Sequence, residues 1–143
     1  GVVADVWSVT SWGELRREGL AHDKARFNDP FGEHAPTWVE SKLADTQGPI
    51  VAVSDYMHAV PDLIRPWVPR EYTTLGADGF GFSDTRAAAR RYYNIDGPSI
   101  AVAVLQQLAL KGEVPREWPL EAAQRYRLDD VTAGASGKTG DSE

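Results

Sequence analysis

Three runs rich in β-branched residues mark the chain: VVADVWSV at residues 2–9, IVAVS at residues 50–54 and YTTL at residues 72–75. After each run the apolar residues change to helical spacing. This alternation constrains the fold more than anything else in the sequence. A strand that leaves its sheet through a helix can return parallel to itself, and the helix then covers a face of the sheet. The pattern predicts an α/β domain, a central sheet with helices on both faces. Residues 2–9 are expected to be its first strand, buried on at least one face.

Local signals refine this outline. Ser11 is placed to cap a short helix over SWGELRREGL, with Leu15 facing inward and Gly19 ending it. AHDKARFNDPFGEHA, residues 21–35, has no periodicity and is expected to be a surface excursion. Pro36 opens a helix over TWVESKLAD, with Trp38, Val39 and Leu43 on one stripe. In DYMHAVPDLIRPWV, Met57, Val60, Ile64 and Trp67 recur at helical spacing. Two prolines disturb that stripe, so Pro61 is expected near the helix start and Pro66 near its end. TRAAARRYYNI reads as a helix capped by Ser83 or Asp84. Pro98 opens another over SIAVAVLQQLALK, stopped by Gly112, and a last short helix spans roughly residues 120–127. Residues 1–130 are expected to form one domain. Residues 131–143, ending in ASGKTGDSE, are expected to be a disordered tail. A strand beginning almost at Gly1 suggests a piece of something longer.

The net charge of −6 argues against a nucleic-acid or anionic-membrane partner, since both require a basic surface. With no cysteine, this chain has no disulfide, thiolate zinc site or thiol nucleophile. No apolar run is long enough to cross a bilayer and no basic-then-apolar segment opens the chain, so the expected location is cytoplasmic.

The candidate chemistry is sparse. LGADGFGFSD, residues 75–84, holds Gly76, Gly79 and Gly81 between a strand and a helix. A phosphate loop needs GxxxxGK[ST], with a lysine to neutralise the anion, whereas here Asp78 places a negative charge in the loop. The run reads GxxGxG, the reverse of the dinucleotide spacing. A turn using glycine's conformational freedom is the simpler reading, with phosphate binding as its rival. Arg86 and Arg90 share a helix face, with Arg91 beside them. Arg86, in a first turn, is expected to pair with Asp78 or Asp84, and the group reads as a solvated face or as one that meets an acidic partner. His22, His34 and His58, with Asp23 and Glu33, match no metal-ligand spacing. No serine stands in a GxSxG turn, and Glu113 and Glu117 read as surface charges. Trp7 and Trp67 fit core stripes. Trp12, Trp38 and Trp118 belong either to the core or to a partner surface. The residues alone predict no catalytic, cofactor-binding or metal site.

In order along the chain, DVWSVTSWGELRREG, VSDYM and LGADGFGFSDTRAAARRYYNID resemble the carboxy-terminal domain of the homodimeric type of pyruvate dehydrogenase. That family belongs to the transketolase-like, thiamine-diphosphate-dependent enzymes. The resemblance spans residue 2 to about residue 130, and SVTS, SDYM and GADGFG are its most specific elements. It implies a transketolase carboxy-terminal-domain-like fold lacking that domain's first strand-helix unit. It also implies an acetyl-transferring, decarboxylating parent enzyme in a multienzyme complex, acting on pyruvate and passing acetyl groups to lipoyl groups. The parent's thiamine diphosphate and magnesium are held by other domains, since the family's GDG cofactor motif is missing here. This chain alone is thus expected to be inactive and to hold no cofactor. The implied partners are the remaining domains of the parent, its homodimer mate and the dihydrolipoyl acetyltransferase component. Pro61 and Pro66 depart from the family, which keeps that helix unbroken. The rival readings are a free-standing α/β module binding a phosphorylated small molecule, or a non-catalytic regulatory piece.

Overall fold

In a computed structural model that describes residues 2–81 and 83–135, the second and third β-branched runs form strands and the first does not. Strands β1 (Ile50–Val53) and β2 (Tyr72–Leu75) pair in parallel, with Ile50 opposite Tyr72 and Val53 opposite Leu75. Residues 2–9 lack regular structure, and Val3 and Val6 are 96% and 94% exposed. The expectation of a buried first strand is therefore corrected. β-Branched composition expresses a preference for a pleated surface, but a strand exists only where a second strand completes its ladder. Trp7 is exposed with that segment rather than in the core.

The helices in chain order are α1 (Trp12–Asn28), α2 (Trp38–Leu43), α3 (Ala59–Asp62), α4 (Arg86–Tyr92), α5 (Gly97–Leu110), α6 (Glu117–Arg125) and α7 (Val131–Ala135). Among the described residues none is long and apolar enough to cross a membrane. The chain divides into two compact units. The first runs up to Asp45 and includes Leu63–Pro69; the second joins Thr46–Asp62 to the chain from Arg70 onward.

In the first unit Ser11 caps α1 as expected, its hydroxyl accepting from the Glu14 N–H at 3.2 Å. The helix then runs through Gly19 to Asn28, taking in much of the expected surface excursion. Gly19 is a contact residue: a Cβ there would lie 2.4 Å from the Trp67 indole. The same indole donates to Asp23 Oδ1 at 3.0 Å, which satisfies its N–H in a buried position. Helix α2 opens with a capping box. The Thr37 hydroxyl accepts from the Glu40 N–H at 3.1 Å, and Glu40 Oε2 accepts from the Thr37 N–H at 2.7 Å. That second bond, aided by Arg26 at 3.4 Å, outweighs burial and holds the Glu40 carboxyl below its usual range.

The second unit contains the sheet. Helix α5 packs against β1. The Tyr72 hydroxyl donates to the buried Pro61 carbonyl at 2.8 Å, tying β2 to α3. The two prolines do not bracket one helix: Pro61 lies inside the single turn of α3, and Pro66 starts a separate 3-10 turn, Arg65–Trp67, in the other unit. Asp96 caps α5 with Pro98 in the first turn, and a left-handed Gly112 ends it as predicted. The Glu113 and Gly112 N–H groups return to the Leu108 and Ala109 carbonyls at 2.9 and 3.1 Å. Residues 131–135, expected in the tail, form α7, which packs on α4. Gly134 allows that approach, because a Cβ would lie 2.7 Å from Arg91 Cβ and 2.9 Å from the Ala87 carbonyl oxygen. The rest of the expected tail, residues 136–143, lies outside the described residues.

Candidate functional site

Parallel strands deliver their following loops to one end of the sheet, where α/β proteins commonly place their sites. Here the segment after β1, residues 54–58, and the glycine-rich segment after β2 are bound together. The Ser54 N–H donates to the Leu75 carbonyl at 3.0 Å, and the Ala77 N–H to the Tyr56 carbonyl at 2.8 Å. Asp78 then grips His58 twice. Its Oδ1 accepts from the His58 N–H at 2.9 Å, and its Oδ2 lies 2.5 Å from the ring Nδ1. Gly76 makes this possible: a Cβ would lie 2.5 Å from His58 N and 2.7 Å from Met57 C. Gly79 and Gly81 have φ of 116° and 91°, backbone that side chains rarely adopt.

The turn reading of the loop therefore holds, and Asp78 is a brace within it. A phosphate would meet this carboxylate, and residues 75–84 carry neither lysine nor arginine. The expected pairing of Arg86 is corrected. Asp78 engages His58, Asp84 Oδ1 accepts from the Thr85 N–H at 2.6 Å, and Arg86 is exposed with no ion pair among the described residues. Thr85 caps α4 where Ser83 or Asp84 was expected, its hydroxyl accepting from the Ala88 N–H at 3.2 Å. Asp84 and Thr85 are both good caps, so the sequence did not separate them. Arg90 pairs with Asp55 at 2.9 Å, on the segment after β1.

Arg91 departs most from the solvated-face reading. Only 4% exposed, it donates from Nε to Asp96 Oδ2 at 2.6 Å. Its NH1 group donates to the Tyr126 and Arg127 carbonyls at 2.8 and 3.0 Å. One guanidinium thus joins the end of α4, the cap of α5 and the end of α6. A signal existed: adjacent residues on a helix point about 100° apart, so Arg91 is turned away from the row that Arg86 and Arg90 share.

Burial alone would raise the Asp96 carboxyl, but hydrogen bonding from Ser99 and Arg91 overrides it and holds the group below its usual range. A carboxyl depressed on folding stabilises the native state above its unfolded value and loses that contribution as pH falls through the lowered one. The Asp96 contribution is therefore constant above about pH 4 and is lost below it. Asp96→Asn keeps a capping side chain and removes the charge. Urea titrations from about pH 6 to about pH 3 should show a flatter acid limb in the variant than in the parent chain. Equal slopes would contradict this assignment.

The remaining candidates lie apart from one another in the sequence and in their contacts. His22 sits on α1 with Nε2 3.0 Å from Glu18 Oε1, and His34 Nε2 lies 2.6 Å from the Asp29 carbonyl oxygen. Among the described residues no three histidine, aspartate or glutamate side chains form a group that could hold a metal. Glu113 and Glu117 are exposed. Trp67 is buried as expected, Trp12 is half-buried, and Trp38 and Trp118 remain 50% and 43% exposed. Taken together, the braced loops and the Arg91 junction hold neighbouring segments against one another.

Family comparison agrees with this architecture. The profile of the transketolase-like TK C-terminal domain matches residues 1–96, and the chain belongs to that family. Among proteins similar to it is the pyruvate dehydrogenase E1 component of Mycolicibacterium smegmatis, 60% identical over 132 residues, which are 92% of this chain. The proteins of the same name from Mycobacterium tuberculosis and Corynebacterium glutamicum are 54% and 50% identical over 96% and 93% of it. The matched stretch makes up only 14%, 15% and 14% of those three relatives, respectively.

Proposed function

We propose that this chain is the packing domain of a thiamine-diphosphate-dependent pyruvate dehydrogenase first component, without the catalytic centre. The parent decarboxylates pyruvate and transfers the acetyl unit reductively to lipoyl groups of a dihydrolipoyl acetyltransferase. It works in the cytoplasm as a homodimer. The observation that carries the reading is the asymmetry of the match: 92% of this chain aligns with the mycolicibacterial relative, but only 14% of that relative is covered. Thiamine diphosphate and magnesium do not fit the residues present. Among the described residues there is no metal-holding group, and the glycine loop offers Asp78 where a diphosphate would need a cation. The domain acts by burying surface against the rest of the enzyme and holding it in place.

A hybrid enzyme tests this. The matching segment of the Mycolicibacterium smegmatis relative is replaced by this chain, and acetyl transfer from pyruvate is measured. Turnover is expected within about tenfold of the unmodified enzyme, a change below about 1.4 kcal/mol in barrier. A hybrid that folds and dimerises but has lost turnover would overturn the proposal.

A further inference from the structure

Three large apolar side chains on the two braced loops are unused by this chain's own core. Tyr56 and Met57, after β1, are 73% and 56% exposed, and Phe80, after β2, is fully exposed. Scattered exposed hydrophobics are ordinary, but three on adjoining loops at one end of a sheet suggest a contact surface. These loops are also bound to each other. The Ala77–Tyr56 hydrogen bond, the double grip of Asp78 on His58 and the close approach of Gly76 fix one segment on the other. A surface already ordered in its bound form loses less entropy on association. Around the apolar side chains the polar groups are engaged internally, Asp55 in an ion pair with Arg90 and Asp78 with the His58 ring and N–H. An apolar centre with a polar rim is the usual anatomy of a protein–protein contact.

We infer that the loop pair carrying Tyr56, Met57 and Phe80 is a docking platform for another folded part of the same polypeptide. The occupant follows from the size of the relatives, of which this chain represents 14–15%, and from the chemistry of the surface. Aromatic and thioether groups inside a polar rim suit an apolar protein patch, and the loop residues 75–81 offer a polyanion neither lysine nor arginine. Arg86, exposed beside the loops and without an ion pair among the described residues, supplies one cation for a carboxylate at the edge of that patch. The inference rests on the packing role proposed above.

The test uses the hybrid enzyme and the 143-residue chain side by side. Hydrogen exchange is followed at residues 54–58 and 76–81 in both. In the hybrid these amides should exchange about tenfold more slowly than in the chain alone. The double variant Tyr56→Ser, Phe80→Asp should abolish that added protection, while Leu110→Asp, at an exposed position on α5, should leave it intact. In the chain alone the double variant should melt with the parent, which separates docking from folding. Equal exchange in hybrid and chain, or protection that survives the double variant, would overturn the platform. An active hybrid with unprotected loops sinks this inference alone; a folded, protected but inactive hybrid sinks only the proposed activity.

Discussion

Replacing Arg91 by methionine should lower the unfolding free energy by about 3–5 kcal/mol, the cost of removing one partner from a buried ion pair. The effect is large because the guanidinium serves three acceptors: Asp96 at 2.6 Å and the Tyr126 and Arg127 carbonyls at 2.8 and 3.0 Å. Methionine fills much of the volume but leaves a partly buried carboxylate and two carbonyls without this donor. Lysine should recover only part of the loss, since a point charge cannot reproduce the fork that spans three elements. Urea denaturation of both variants checks this through the midpoint. Losses below about 1 kcal/mol in both would show that water replaces the contacts at little cost.

The second large effect is expected at Gly76. In Gly76→Ala the new methyl would lie 2.5 Å from His58 N, 2.7 Å from Met57 C and 2.8 Å from the Tyr56 oxygen. These are backbone atoms, so the two segments must part rather than a side chain rotate. Overpacking of this kind costs about 1–3 kcal/mol or more, and the upper end is expected here. The Ala77–Tyr56 bond and the Asp78 grip should loosen together, seen as faster amide exchange at Ala77 and His58. Gly79→Ala is the matched comparison. Nothing lies within 4 Å of its Cβ, so only the strain of φ 116° remains, on the order of 1 kcal/mol. If Gly79→Ala proved the more damaging, close approach would not be what Gly76 provides.

The parts of the fold visible in the sequence were those decided locally. IVAV and YTTL have the composition of buried parallel strands, and the Pro98 start and Gly112 stop of α5 are chemical signals within one turn. The parts that escaped depend on distant residues. Gly19 looks like a stop signal, but Trp67, far along the chain, requires a bare backbone there, and the helix continues. Residues 2–9 have strand composition without a ladder partner. Two helix ends were hidden because Asn94 and Arg127, not glycine, take the left-handed position, with φ of 56° and 51°. At the site, GADGFG was legible as a turn, but the Asp78–His58 brace joins residues twenty positions apart and has no local signature. The family's motifs carried the functional reading where residue chemistry had none to offer.

We propose that this polypeptide supplies packing surface and takes no part in coenzyme binding. Titration calorimetry of the chain with thiamine diphosphate and excess magnesium addresses it directly. Heats indistinguishable from dilution are expected at all accessible concentrations. A saturable isotherm with one equivalent bound, lost when magnesium is withheld, would contradict it.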